Sequence, residues 1–317
     1  MSQLLNLVFC GTPRFAVPSL EKLVEAGFPV RRVVTQPDKP RGRGLELTAS
    51  PIKQRAVELG LPISQPEKIK NNEQFRTQLA ELQPDAIIVV GYGRIIPQWM
   101  IDLPPLGNIN LHGSLLPKYR GAAPVQWAIA SGETITGNTT MRIDAGLDTG
   151  DILLQQAITI EPDDTAETLA PRLAAAGAEL LVETLRGLQA GKVHPRKQDD
   201  SKSSLAPILK KDDGRVSFQR SAQEICNRLR GFQPWPGAFT TFRGKNLNVW
   251  AARVFDGLGS RESHSEGTVF VEGQPLIVGC GQGTALELIE VQPEGKKRMA
   301  ARDFIHGYHP EGEKLGL

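Results

Sequence analysis

Asn110 and His112 stand two residues apart in the run INLHG, and further along MRIDAGLDTGD carries three aspartates, Asp144, Asp148 and Asp151. Side chains on an extended strand alternate with period two, so Asn110 and His112 face the same side and can address one reacting atom. The aspartates lie in a glycine-punctuated loop, whose backbone can approach a ligand closely. An amide donor, an imidazole and a carboxylate suit transfer of an acyl group to an amine. As the amine attacks, the carbonyl oxygen becomes an oxyanion, and Asn110 and a ring N–H of His112 can donate to it, a contribution of roughly 3–4 kcal/mol per donor. Asp148 can orient His112, favour its protonated form and relay the proton leaving the amine. This scheme requires no metal. Each residue also has a plainer reading, as a structural histidine, a turn-capping asparagine and ordinary Gly-Leu-Asp-Thr-Gly turn chemistry. The functional reading rests on their occurring together.

The elements that would position these residues follow from periodicity. Residues 4–10 form a short apolar run ending at Gly11, 18–26 a helical pattern stopped by Gly27, and 29–35 a second strand, which is a βαβ opening. An amphipathic helix is expected at 71–82, a buried strand at 85–90 and another at 108–111. Strands alternating with helices imply a mostly parallel, Rossmann-like sheet, in which ligands bind beyond the carboxyl ends of the strands. Gly91, Asn110 and His112 fall at such ends. The first turn, GTPRF, lacks the second and third glycines of the dinucleotide fingerprint, which argues against NAD.

After a long helical pattern at 165–189, the polar stretch 191–206 marks the best boundary, giving domains at 1–190 and 207–317 joined by a linker. Beyond it come short strands (238–242, 247–251, 268–271, 276–278, 285–291) separated by glycine-rich turns, the texture of a smaller C-terminal β-barrel, with helical patterns at 221–229 and 300–305. A chain of 317 residues suits two domains, and 40% apolar with 23% charged residues is globular composition. No apolar run is long enough to span a bilayer, and the amino terminus lacks a basic leader, so a cytoplasmic chain with no membrane partner is expected. Cys10, Cys226 and Cys280 show no metal-ligand spacing and read as packing residues. Net charge is only +2, but Arg31, Arg32, Lys39, Arg41 and Arg43 face a single anion, Asp38, between 31 and 43. A solvated loop is the plain reading of such a run. Trp235, set between two prolines, reads as a rigid core turn rather than a base-stacking platform.

Asn-x-His followed by SLLPKYRGAAP, and then GLDTGD, resembles the signature of the folate-dependent formyltransferase family. The resemblance extends through FCGTPRFAVPSL, TQPDKPRGRG, VGYGRIIP and FQPWPGAFT, and so covers nearly the whole chain. It implies an α/β formyltransferase domain followed by an OB-like barrel, with Asn110, His112 and Asp148 catalytic. It implies 10-formyltetrahydrofolate as donor, lined by Ser114, Leu115, Leu116 and Pro117. Val90, Gly91, Tyr92, Ile95 and Ile96, with Arg142, Ile143, Asp144, Gly146 and Leu147, would enclose the pteridine, whose amide-like edge suits backbone groups beside an apolar slot.

Members that resemble this chain most closely act on initiator methionyl-tRNA, and the segment matching 37–50 enters its acceptor end. That implicates Arg41 and Arg43, since arginine can fork onto phosphate or stack on an unpaired base. Where many members continue Gly-Arg-Gly with a further basic residue, this chain has Leu45 and Glu46. Lys210 and Lys211, with Arg215, Arg220, Arg228 and Arg230, could add phosphate contacts. A monomer acting on tRNA is expected. Two alternatives stay open: a formyltransferase for a small amine, such as glycinamide ribonucleotide or an amino-sugar nucleotide, and a non-catalytic tRNA-binding protein.

Overall fold

The computed structural model describes residues 5–41, 46–257, 265–271, 273 and 275–316, with the side chains of Arg41 and Glu46 outside that description. The chain divides into two compact units, one of residues 1–124, 135–159 and 170–207 and one of residues 125–134, 160–169 and 208–317.

The first unit opens as β1 (Leu7–Gly11), α1 (Val17–Glu25) and β2 (Val30–Val34), with Pro18 in the first turn of α1, where a missing N–H costs nothing. Next come β3 (Lys39–Arg41) and β4 (Glu46–Thr48), an antiparallel ribbon in a segment read as a loop. Helix α2 (Pro51–Glu58) follows, with Ser50 Oγ accepting from the Lys53 N–H, and then β5 (Ile63–Ser64). Helix α3 (Glu73–Glu81) is capped by Asn72, and β6 (Ala86–Val90), α4 (Gln98–Ile101) and β7 (Asn108–His112) complete the parallel part. After α5 (Pro124–Ala130), β8 (Ile135–Arg142) and β9 (Ile152–Thr159) add an antiparallel hairpin, and α6 (Ala166–Gln189) follows. Strand order is β5-β2-β1-β6-β7-β8-β9, mostly parallel with an antiparallel edge.

Both faces of this sheet are covered. In β1 and β6, Leu7, Phe9, Ile88 and Val90 pack with Leu20, Leu23, Leu181 and Leu185. The alternate residues Val8, Cys10, Ile87 and Val89 pack with Phe75, Leu79, Tyr92 and Met100. Burial on two faces explains why these strands read as continuous apolar runs. Each fully buried leucine or phenylalanine contributes about 1.5–3 kcal/mol. Chain order reverses at β1, which has β2 on one side and β6 on the other, and their carboxyl ends meet where Gly11 pairs with Val90.

The second unit carries α7 (Ala222–Gly231), β10 (Ala238–Phe242), β11 (Lys245–Val254), β12 (Val269–Val271), β13 (Leu276–Gly279), β14 (Ala285–Pro293), β15 (Met299–Ala300) and α8 (Ala301–Tyr308). Ser221 and Glu224 form a capping box at the start of α7. The strands make one antiparallel sheet in the order β10-β11-β14-β13-β12, with β15 on β14. Register shifts between Val249 and Ala252 bend β11 so that the sheet curls, as a small barrel needs. Val249, Val278, Leu286 and Leu288 line its core with Ile225, Leu229 and Phe304.

Residues 125–134 and 160–169 join this unit through α7. Trp127 meets Phe232 edge-on at 5.3 Å, and Arg228 lies over both rings. Gly231 allows a close approach, since a Cβ there would stand 2.6 Å from the Gln126 carbonyl oxygen. Arg230 Nη1 donates to the Asp164 carbonyl at 3.0 Å. Arg228 and Arg230 are thus committed internally, which corrects their reading as candidate phosphate contacts. Desolvation holds the Arg228 guanidinium below its ordinary pKa.

Trp235 departs from expectation in the other direction: it is 56% exposed and no core residue. Trp235→Ala should therefore shift the free energy of unfolding by less than about 0.5 kcal/mol, the range of ordinary surface substitutions, as measured by urea titration. The three cysteines are free and buried, and burial pushes the Cys226 thiol up to about 11 and Cys280 up to about 12.

Candidate active site

β7 sits between β6, its parallel neighbour, and β8, its antiparallel one, with Asn110 opposite Val89 and Met141 and with His112 opposite Thr139. A strand pinned on both sides fixes where Asn110 and His112 point. His112 is 6% exposed, whereas Asn110 is half-buried and its side chain makes no hydrogen bond among the described residues. An uncommitted amide at a strand end is free to donate to a ligand.

His112 is held from the far side. Its Nε2 stands 2.9 Å from the Tyr119 carbonyl, which can only accept, so Nε2 carries a proton. The other ring nitrogen, Nδ1, faces Asp148 Oδ2 at 3.7 Å, beyond hydrogen-bond length. Tyr119 therefore orients the ring, a role the sequence assigned to Asp148. Asp148 is itself fixed by the Gly121 N–H, which donates to Oδ2 at 2.8 Å. Tyr119 and Asp148 both adopt left-handed backbone, φ 62° and φ 51°, a conformation that costs about 1–3 kcal/mol at non-glycine residues and concentrates at functional sites.

The residues read as donor-binding divide into two groups. Ser114 is fully buried and its hydroxyl donates to the Lys118 carbonyl at 2.7 Å. The Leu116 N–H donates to Thr139 Oγ1, its carbonyl accepts from Gln155, and its side chain packs on Met141 and Ile152. Asp144 accepts from the Gly146 N–H and the Thr149 hydroxyl, closing its own turn. These groups shape the loops. Leu115, Pro117 and Ile143 are half-buried, while Val90 and Ile96 are core residues.

Gly91, Gly146, Ile95 and Leu147 remain outward, Ile95 and Leu147 at 90% and 61% exposure. Gly91 has φ 55° and follows β6 at the point where strand order reverses. The Tyr92 carbonyl accepts from Thr12 Oγ1 and Gln36 Nε2, and its buried hydroxyl has a raised pKa because burial desolvates it. Arg142 has a buried Nε with no hydrogen-bond partner among the described residues. Exposed backbone, apolar side chains and an unmet donor fit a flat heteroaromatic ligand with an amide-like edge.

Of the residues assigned to nucleic acid, Arg43 lies outside the described residues. Arg41 ends β3, in a ribbon anchored at its base by Asp38, which accepts from Lys53 Nζ at 2.6 Å and Gln65 Nε2 at 2.8 Å. Lys53 first among these partners holds the Asp38 carboxyl below its usual pKa. In the second unit Lys210 and Lys211 are exposed.

The "Formyl transferase" model matches residues 5–185 and "Formyl transferase, C-terminal domain" matches residues 208–309. A methionyl-tRNA formyltransferase of Koribacter versatilis is 65% identical over 98% of this chain and 98% of its own length. Another, of Acidobacterium capsulatum, is 60% identical over 96% of each. The fold is also that of an N-formyltransferase from Helicobacter canadensis, solved in complex with folinic acid and dTDP-3-aminofucose, at 19% identity and a TM-score of 0.66 over 92% of this chain and all of that one. The chain belongs to the formyl transferase family, in the branch of the methionyl-tRNA formyltransferases.

Proposed function

We propose that this enzyme transfers the formyl group of 10-formyltetrahydrofolate to the α-amino group of methionine on initiator tRNA, for translation initiation, and that Asn110, His112 and Asp148 carry the reaction. The observation that carries the reading is the convergence at one strand end of an uncommitted amide and a buried imidazole whose Nδ1 faces a fixed carboxylate. The acceptor class rests on 65% identity across the full chain to a methionyl-tRNA formyltransferase. Likeness at 19% to an enzyme of amino-sugar nucleotides bears on fold alone.

The neutral amine attacks the formyl carbon, forming a C–N bond, and the formyl oxygen takes up the negative charge. Asn110 donates to that oxygen. His112 already commits its Nε2 proton to Tyr119, so any further donation to the formyl oxygen comes from Nδ1–H, the nitrogen that faces Asp148. Asp148 receives the proton from the amine, directly or through water, and the bond from the formyl carbon to N10 breaks as that nitrogen is protonated. Tetrahydrofolate leaves. The donor would lie beside Gly91, Ile95, Leu147 and Arg142.

For the acceptor, we assign Arg41 and Arg43 of the basic segment 31–43 to the unpaired acceptor end and Lys210 and Lys211 to phosphates, with Trp235 exposed and able to stack on a base. The enzyme would act as a soluble cytoplasmic monomer.

Parallel assays of formylation with charged initiator tRNA, glycinamide ribonucleotide and an amino-sugar nucleotide test the function. Turnover on the tRNA alone supports it, and turnover only on a small amine overturns it. Arg43→Ala should lower kcat/KM for charged tRNA by about tenfold while leaving the folate KM within about twofold. Affinity for tRNA should also fall steeply as salt rises, the mark of phosphate contacts. Unchanged kcat/KM in the variant would remove Arg43 from acceptor recognition.

A further inference from the structure

The polar stretch 191–206, whose composition reads as a linker, runs along the first unit and makes a set of bonds that all lead to the candidate site. Arg196 exchanges two backbone hydrogen bonds with Ile152, both 2.8 Å, at the start of β9. The Ser204 hydroxyl accepts from the Tyr119 N–H at 2.9 Å, and the Ser204 carbonyl accepts from the Arg120 N–H at 2.8 Å. The Ala206 N–H donates to the Arg120 carbonyl at 2.7 Å. The strap thus fixes the backbone of Tyr119, whose carbonyl orients His112.

Gln198 lies at its centre. Its Nε2 donates to the carbonyls of Asp148 and Gly150, each at 2.8 Å. Its Oε1 accepts from Arg120 Nε at 3.1 Å and Nη2 at 2.7 Å. Arg120 is 7% exposed and its Nη2 also reaches Asp200 Oδ1 at 2.7 Å. A guanidinium only donates and a carbonyl only accepts, so the orientation of the Gln198 amide is fixed by chemistry, and both its protons and both its lone-pair sites are used.

We propose that Gln198 is a positioning residue for formyl transfer. Together with Arg120, it clamps the left-handed turn that presents Asp148 to His112. This rests on the reading of Asp148 as a reacting group. Without the clamp, Asp148 keeps only the Gly121 N–H on its side chain, while its strained backbone loses the two bonds that hold the turn. A displacement on the order of 1 Å at a reacting group can cost about a hundredfold in rate.

Gln198→Glu separates positioning from folding. Gln198→Glu keeps the size and still accepts from Arg120, so that cation stays paired. It cannot donate, and it sets a carboxylate oxygen against two carbonyls. The expected result is a fall in kcat of about 30-fold, with KM for folate and tRNA within about twofold and a thermal midpoint lowered by no more than about 4 °C. In an Asp148→Asn background the same substitution should cost less than about twofold, because it has no carboxylate left to position.

Wild-type kcat in Gln198→Glu would overturn the proposal. An equal loss in both backgrounds would do the same, since it marks general structural damage. Asp148→Asn alone reports separately on the underlying reading: if it turns over normally, Asp148 is no reacting group and the clamp has no catalytic purpose.

Discussion

Asp148→Asn should lower kcat by about a thousandfold, within the span attributed to a positioned proton-transfer group, while leaving folate binding and stability close to wild type. Asparagine preserves the shape, and its side-chain oxygen can still accept from the Gly121 N–H that now holds Oδ2 at 2.8 Å. The turn would keep both Gln198 bonds, which go to backbone carbonyls. What disappears is the negative charge 3.7 Å from His112 Nδ1. The amine proton thereby loses its acceptor. Single-turnover kinetics at saturating folate and charged tRNA check this. A variant with wild-type kcat would remove Asp148 from proton transfer.

Asn110→Ala should lower kcat by roughly 100- to 1000-fold, the measured scale for loss of one preorganised donor to an oxyanion. The side chain makes no hydrogen bond among the described residues, so its removal breaks no structural bond. Strand β7 stays pinned by its neighbours through the backbone. Single-turnover rates should therefore fall while the thermal midpoint and folate affinity stay close to wild type. Loss of folate affinity in place of kcat would assign Asn110 to ground-state binding instead.

Much of this arrangement is legible in the chain. The apolar runs of β1 and β6 identify strands because both faces are buried, and the spacing of Asn110 and His112 follows from the period of an extended strand. The hairpin of β8 and β9 is hidden for a physical reason. ITGNTTMR looks like a loop, yet Thr136, Asn138, Thr139 and Thr140 are buried. Tertiary partners meet most of these groups: the Asn138 Nδ2 donates to the Leu173 carbonyl, Thr139 to that of Ser114, and Thr140 pairs with Thr184, while Thr136 Oγ1 and Asn138 Oδ1 have no partner among the described residues. Long-range satisfaction of this kind leaves no trace in local pattern.

The same limit applies to the site. The motif displays His112 and Asp148, but the groups that set them are a carbonyl at Tyr119, an N–H at Gly121 and the remote amide of Gln198. Backbone groups have no residue type to read. Composition misleads at Arg228, which stacks on Trp127 and Phe232, and at Trp235, which is exposed.

Transfer of the formyl group between these two partners is open to one direct measurement. The enzyme is mixed with 10-formyltetrahydrofolate labelled in the formyl carbon and with methionyl initiator tRNA, and the label recovered on the tRNA is counted. The predicted result is one labelled formyl amide on the methionine nitrogen per tetrahydrofolate released, and none when the tRNA is uncharged. Tetrahydrofolate release with the label recovered as free formate, or no label on charged tRNA under conditions where a small amine is formylated, would contradict the account.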